Sequence, residues 1–203
     1  RSKSINEKTV DFIGLSLTTD YLPESLKTSI IFEAEKILDG YIDCFGLRYL
    51  KKINWNTDFI SGHEWKSGSF YYTYKLYDFR KQIDVKIPWE LSRFQHVIML
   101  AKAFLLTNDL KYVHRIEDDI LSWIESNPFM KSINWVCSMD IGIRAVNWII
   151  AIELCRDYFQ QSPNFSKIVN NLYMHGKFIY TNNEKNYFNY SSNHYYTNLA
   201  SLI

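Results

Sequence analysis

Asn193 and His194 form the pair in this chain best suited to proton chemistry. Ser191 and Ser192 precede them and an apolar run to Ile203 follows, so the pair falls in the first turn of a serine-capped helix. Free backbone N–H groups and the positive end of the helix dipole favour an anion there. An imidazole so placed can take or give a proton. The same two residues can equally do no more than extend the serine cap, and their spacing leaves both readings open.

Two further stretches carry polar side chains at useful spacings. In "DVKIPWELSRF", Glu90 and Arg93 stand at i, i+3 and can pair on one helix face beside Trp89. In "NPFMKSINWVCSMDIGIRAVNW", Asn134 and Trp135 end a loop, while Arg144 and Asn147 share a face of the helix that follows. Arg144 is flanked by apolar residues. A guanidinium in such a setting needs partners, either a carboxylate such as Glu90 or Asp140 or an anionic ligand.

The elements that must position these residues are mostly helical. Tyr21 to Leu38 reads as a first helix stopped by Gly40. From Tyr41 to about Lys86 the period is lost, and glycines punctuate an irregular, aromatic-rich layer in which Phe70 to Leu76 reads as a short strand or extended segment. After Pro88 the chain becomes helical almost without interruption, with Leu91, Phe94, Ile98, Ala101 and Leu105 as one stripe. Thr107-Asn108-Asp109 breaks it and caps a helix that ends at Asn127-Pro128. Ser138 caps the next, to about Tyr158, and Ser162-Pro163 opens another. Short and long links alternate, which predicts a stacked or toroidal array with one set of loops on one face. The expected fold is therefore all-α, with residues 1–86 packing on helices of residues 87–203.

Composition narrows the partners. A net charge of +1 gives no case for binding nucleic acid by bulk attraction. No apolar run is long enough to span a bilayer. Cys44, Cys137 and Cys155 have no metal-ligand spacing, and His96, His114 and His175 read as structural, so neither a metal nor another cofactor is expected. The aromatic share of 17% suits either a bulky core or flat faces for sugar rings. Asn164-Phe-Ser and Asn189-Tyr-Ser match a glycosylation pattern that arises often by chance.

Taken together, "DVK…WELSRFQH…LAKAF", "NP…NW…SMDIGIRAVNW" and "SNHYYTNLASL" resemble the N-terminal half of the heparinase II/III-like polysaccharide lyases, including alginate lyase relatives. "INWNTDFISGHEW" resembles that family's entrance segment. The resemblance implies an incomplete (α/α) toroid, with the family's C-terminal β-sandwich absent. It implies an acidic polysaccharide or oligosaccharide as partner and β-elimination at a uronic acid, with the carboxylate neutralised before charge develops. The family's Asn-His pair maps onto Asn193 and His194, the former neutralising the carboxylate and the latter supporting it or acting as base for one uronate epimer. Trp89, Glu90, Arg93, Asn134, Trp135, Arg144 and Asn147 are the expected substrate contacts. The family's catalytic Tyr lies downstream, whereas only 203 − 194 = 9 residues follow His194 here. A truncated, inactive piece of a lyase is therefore expected. A lyase degrading glycans would be periplasmic or secreted, and one in a synthesis cluster cytoplasmic.

Two other readings stay open. One is a non-catalytic glycan-binding helical module associated with polysaccharide synthesis or modification, using Trp89, Trp135, Trp148, Arg93 and Arg144. The other is an (α/α) glycoside hydrolase, which needs two facing carboxylates. Its only acidic cluster, Glu117-Asp118-Asp119, reads as a solvated helix face, and Glu90 facing Asp140 across an open groove would revive it.

Overall fold

The computed structural model describes residues 21–50, 52–184 and 192–203. Helix α1 (Glu24–Leu38) leads into an irregular layer of three two-stranded antiparallel pairs. These are β1 (Tyr41–Asp43) with β2 (Leu47–Tyr49), β3 (Thr57–Asp58) with β4 (His63–Glu64), and β5 (Tyr77–Asp78) with β6 (Ile83–Asp84). The helices that follow are α2 (Lys86–Leu91), α3 (His96–Thr107), α4 (Leu110–Ser126), α5 (Ser138–Leu154), α6 (Arg156–Gln161), α7 (Phe165–Thr181) and α8 (Asn193–Ala200). The fold is all-α, and no described helix is long and apolar enough to cross a membrane.

The helices pack in two rows. Helices α3, α5 and α8 touch in succession, and α4 and α7 touch each other behind them, with α1 on α3. This alternation is an arc of the expected helical array. Gly142 is where α8 comes closest to α5: a Cβ there would lie 2.3 Å from Ser201 Oγ and 3.0 Å from Ser201 Cβ, so the seam admits only hydrogen.

Five local expectations are corrected. The stripe after Pro88 is not one helix but two, because Ser92 to Gln95 turns and Phe94 takes φ +61°. Phe94 accepts that strain because its ring is buried between Trp55 (4.7 Å, stacked) and Trp148 (5.2 Å, edge-on). Ser138 does not cap α5; its hydroxyl donates to the Asn182 carbonyl at 2.6 Å, tying α5 to the end of α7. Helix α5 stops at Leu154, and the turn at Cys155 lets Tyr158 reach Glu117. Asn164, not Ser162-Pro163, precedes α7, because Ser162 Oγ is engaged by Glu117 and by the Asn164 N–H. The segment from Phe70 to Leu76 contains a 3₁₀ turn, Tyr71–Thr73, rather than a strand.

Asp109 caps α4 and Asn108 ends α3 in the left-handed conformation, as the sequence leads one to expect. Ser192 caps α8 by accepting the Tyr195 N–H at 3.3 Å. The alternative cap Ser191 and the Asn189-Tyr-Ser pattern lie outside the described residues.

Candidate functional site

The start of α5 lies against the turn before α3 on one side and against α8 on the other, and Glu90, Arg93, Asn147, Asn193 and His194 gather around it. Arg93, in the turn before α3, donates from Nε to Asp140 Oδ1 at 2.6 Å and pairs through Nη1 with Glu90 Oε2. Burial opposes the charge on Arg93, but Asp140 and Glu90 hold the guanidinium protonated. Asn147 Nδ2 donates to the Arg93 carbonyl at 2.8 Å, a carbonyl left free by the break between α2 and α3. Trp89 is half-buried and donates to the Ile133 carbonyl at 2.8 Å.

On the opposite side of the α5 start, Glu184, just after α7, links α5 and α8. Its Oε2 accepts the Met139 N–H at 3.2 Å, its backbone N–H donates to Asn198 Oδ1 at 2.9 Å, and its Oε1 lies 3.0 Å from His194 Nδ1. The imidazole is thus oriented by a carboxylate at Nδ1, and among the described residues no hydrogen bond engages Nε2. Asn193 is exposed beside it. Cys137, immediately before α5, completes the cluster: its sulfur, a Glu184 oxygen and a His194 nitrogen lie within 4.8 Å of one another. Burial, with the charges of Asp140 and Glu184, pushes the Cys137 thiol far up, so it is protonated and unsuited to nucleophilic attack. Tyr77 lies near this cluster, its hydroxyl raised by burial and by the charges of Asp84 and Asp140.

Asn134, Trp135 and Arg144, expected to touch substrate, are instead interior, at 2%, 1% and 0% exposure. Asn134 Nδ2 donates to the Trp55 carbonyl at 2.8 Å and to Asn127 Oδ1 at 3.0 Å, fixing the loop before α5. Among the described residues no carboxylate is in hydrogen-bond contact with Arg144. It donates to His175 Nε2 at 2.8 Å and to the carbonyls of Ser92 and Asn134, and its guanidinium stacks 4.0 Å from the Trp123 ring. Burial pushes it down to about 9 against the opposing field of Asp140, so it is charged at neutral pH. The cage is a buried brace, which places the α5 start against the α2–α3 turn.

His175 must then be neutral, with Nδ1–H donating to the Asn171 carbonyl at 2.7 Å. Burial, reinforced by Arg144, holds its pKa well below the ordinary value. The sign of the linkage follows. Below about pH 6.5 the unfolded imidazole binds a proton that the folded one refuses. Stability is therefore complete above that pH and declines below it, by up to about 1.4 kcal/mol per unit. Urea midpoints measured from pH 7.5 to 5 should fall accordingly; a flat profile would contradict a neutral, sequestered His175.

The acidic run Glu117-Asp118-Asp119 is not the solvated face expected of it. Asp118 is exposed, but Glu117 and Asp119 are buried. Burial opposes the charge on Glu117, while Ser162, Tyr158 and Asn164 hydrogen-bond it and keep its pKa low. Asp119 accepts from Arg115 at 2.8 Å and contacts His96 at 3.1 Å. Glu90 and Asp140 do not face one another across open space either: Arg93 sits between them. A hydrolase needs a free acid and a free base at that separation.

Sequence reasoning found the Glu90–Arg93 and Asn193–His194 pairs because each is local. It missed Cys137, Glu184 and Tyr77, which come from three separate elements and share no motif. A family model described as Heparinase II/III N-terminus matches residues 17–203. No curated protein and no solved structure matches the chain.

Proposed function

Because the chain belongs to the heparinase II/III N-terminal family, we propose that it forms part of a polysaccharide lyase-related protein that cleaves uronic-acid glycans by β-elimination. The observation that carries this reading is the setting of His194: an exposed first-turn imidazole, oriented at Nδ1 by Glu184, beside the Asn193 amide. In the proposed step the Asn193 side-chain N–H, aided by the positive end of the α8 dipole, neutralises the uronate carboxylate, which acidifies the C5 proton. His194 Nε2 takes that proton for one uronate epimer, or supports the carboxylate when another base does so. Electrons from the C5–H bond form the C4=C5 double bond, the C4–O4 bond breaks, and O4 leaves with a proton from the tyrosine that the family places downstream. Residues 87–203 supply the helices of this half-site and residues 21–86 its outer layer.

Glycan contact also finds support in the irregular layer. Phe70 and Tyr72 stack 5.7 Å apart and Tyr77 and Phe79 6.2 Å apart, near-parallel and exposed, next to the helix starts. Such faces suit sugar rings. They favour a binding role even without cleavage, and replace Trp135 and Trp148, which are buried, as the platform.

The two readings separate in one assay. The longest natural reading frame containing these residues, incubated with uronate polymers, should generate the ultraviolet absorbance of unsaturated uronate. Saturable binding with no such product would instead support the glycan-binding module.

A further inference from the structure

The charge at the helix starts does not balance. Among the described residues Arg93 pairs with Glu90 and Asp140, and Arg144 lies in the field of Asp140, whereas no lysine or arginine pairs with the Glu184 carboxylate. That carboxylate calls for a further positive charge. The three-residue grouping of Cys137, Glu184 and His194 supplies the place for it. Their donor atoms already lie within 4.8 Å of one another, on three different segments that the fold brings together.

We propose that Cys137 Sγ, a Glu184 carboxylate oxygen and a His194 ring nitrogen bind a divalent transition-metal cation of the zinc class. Sulfur, nitrogen and oxygen donors in one set suit that class and not magnesium or calcium, which prefer all-oxygen shells. Bond lengths of about 2.0–2.3 Å would need the donors to close by only a fraction of their present separation. On binding, the cation takes the place of the hydrogen bond between His194 and Glu184, and the Cys137 thiol proton leaves to solvent. Glu184 is also held by Met139 and Asn198, so the carboxylate is aimed before the metal arrives. Three protein donors leave a fourth position open to water or to an oxygen anion. The proposal stands on the cluster's geometry and charge and does not depend on the lyase reading.

Cobalt(II) is the probe, because a cobalt–thiolate bond gives a charge-transfer band in the near ultraviolet. Titrating the purified 203-residue protein should produce that band, saturating at one equivalent, with zinc displacing it. Cys137→Ser should abolish the band, and Glu184→Gln and His194→Ala should each weaken binding by at least about tenfold. Cys155→Ala, at a buried thiol elsewhere, should leave the titration unchanged. Far-ultraviolet circular dichroism checks that each variant is folded, and the half-exposed His194 gives a variant that spares the core. No band, a band surviving in Cys137→Ser, or equal loss in Cys155→Ala would overturn the proposal. None of these readouts involves elimination, so a failed lyase assay and a failed metal site are distinguishable.

Discussion

Arg144→Ala should lower the unfolding free energy by about 3–5 kcal/mol, the largest single-residue effect expected in this chain. Arg144 is fully buried, and its side chain fills the space between α3, α5 and α7. Truncation leaves His175 Nε2 and the carbonyls of Ser92 and Asn134 without their donor, and it opens a cavity beside Trp123 and Trp135. Removing a desolvated charge offsets part of that loss. Arg144→Met separates the terms: it retains much of the volume and forfeits the hydrogen bonds, so a smaller loss of about 1–3 kcal/mol is expected. Urea unfolding of the three proteins gives the comparison. An Arg144→Ala loss below about 1 kcal/mol would mean that the cage is not the brace described. The effect should reach the site as well, since the Ser92 and Asn134 carbonyls hold the α2–α3 turn and the loop before α5.

The second large effect is on turnover. In the uronate elimination assay, His194→Ala should reduce the rate by about 10²–10⁴-fold, the range of one positioned acid–base group. Asn193→Ala should reduce it by about 10²–10³-fold, the range of one donor to developing negative charge. Both residues are at least partly exposed and neither belongs to the buried core, so thermal midpoints should move little. The test is kcat beside the melting temperature. Near-native kcat in His194→Ala would remove the imidazole from the reaction.

Much of the fold was legible because helix signals are local. Apolar spacing and the Asp109 and Asn127-Pro128 boundaries place α3 to α5 within a few residues. The break before α3 was not, since neither glycine nor proline marks it and a left-handed Phe94 has no sequence signal of its own. It is stabilised by tertiary contacts from Trp55 and Trp148. The small strands, two or three residues each, are too short to show alternation. Within the site, pairs separated by one helical turn could be read directly. The partner of Arg144 could not: His175 lies 31 residues away on α7, with no local pattern that ties it to Arg144. Cys137 likewise had no visible role until α5, the end of α7 and α8 were set side by side.

The central claim is that a uronate carboxylate docks at Asn193 and His194. The most direct measurement is a titration of ¹⁵N-labelled protein with a uronate oligosaccharide and, in parallel, with its carboxyl-reduced counterpart, following the backbone amides of the first turn of α8. Docking at this site predicts saturable shifts at Asn193 and His194 with the uronate and little response to the neutral sugar. Equal responses to both sugars, or shifts confined to other residues, would contradict it.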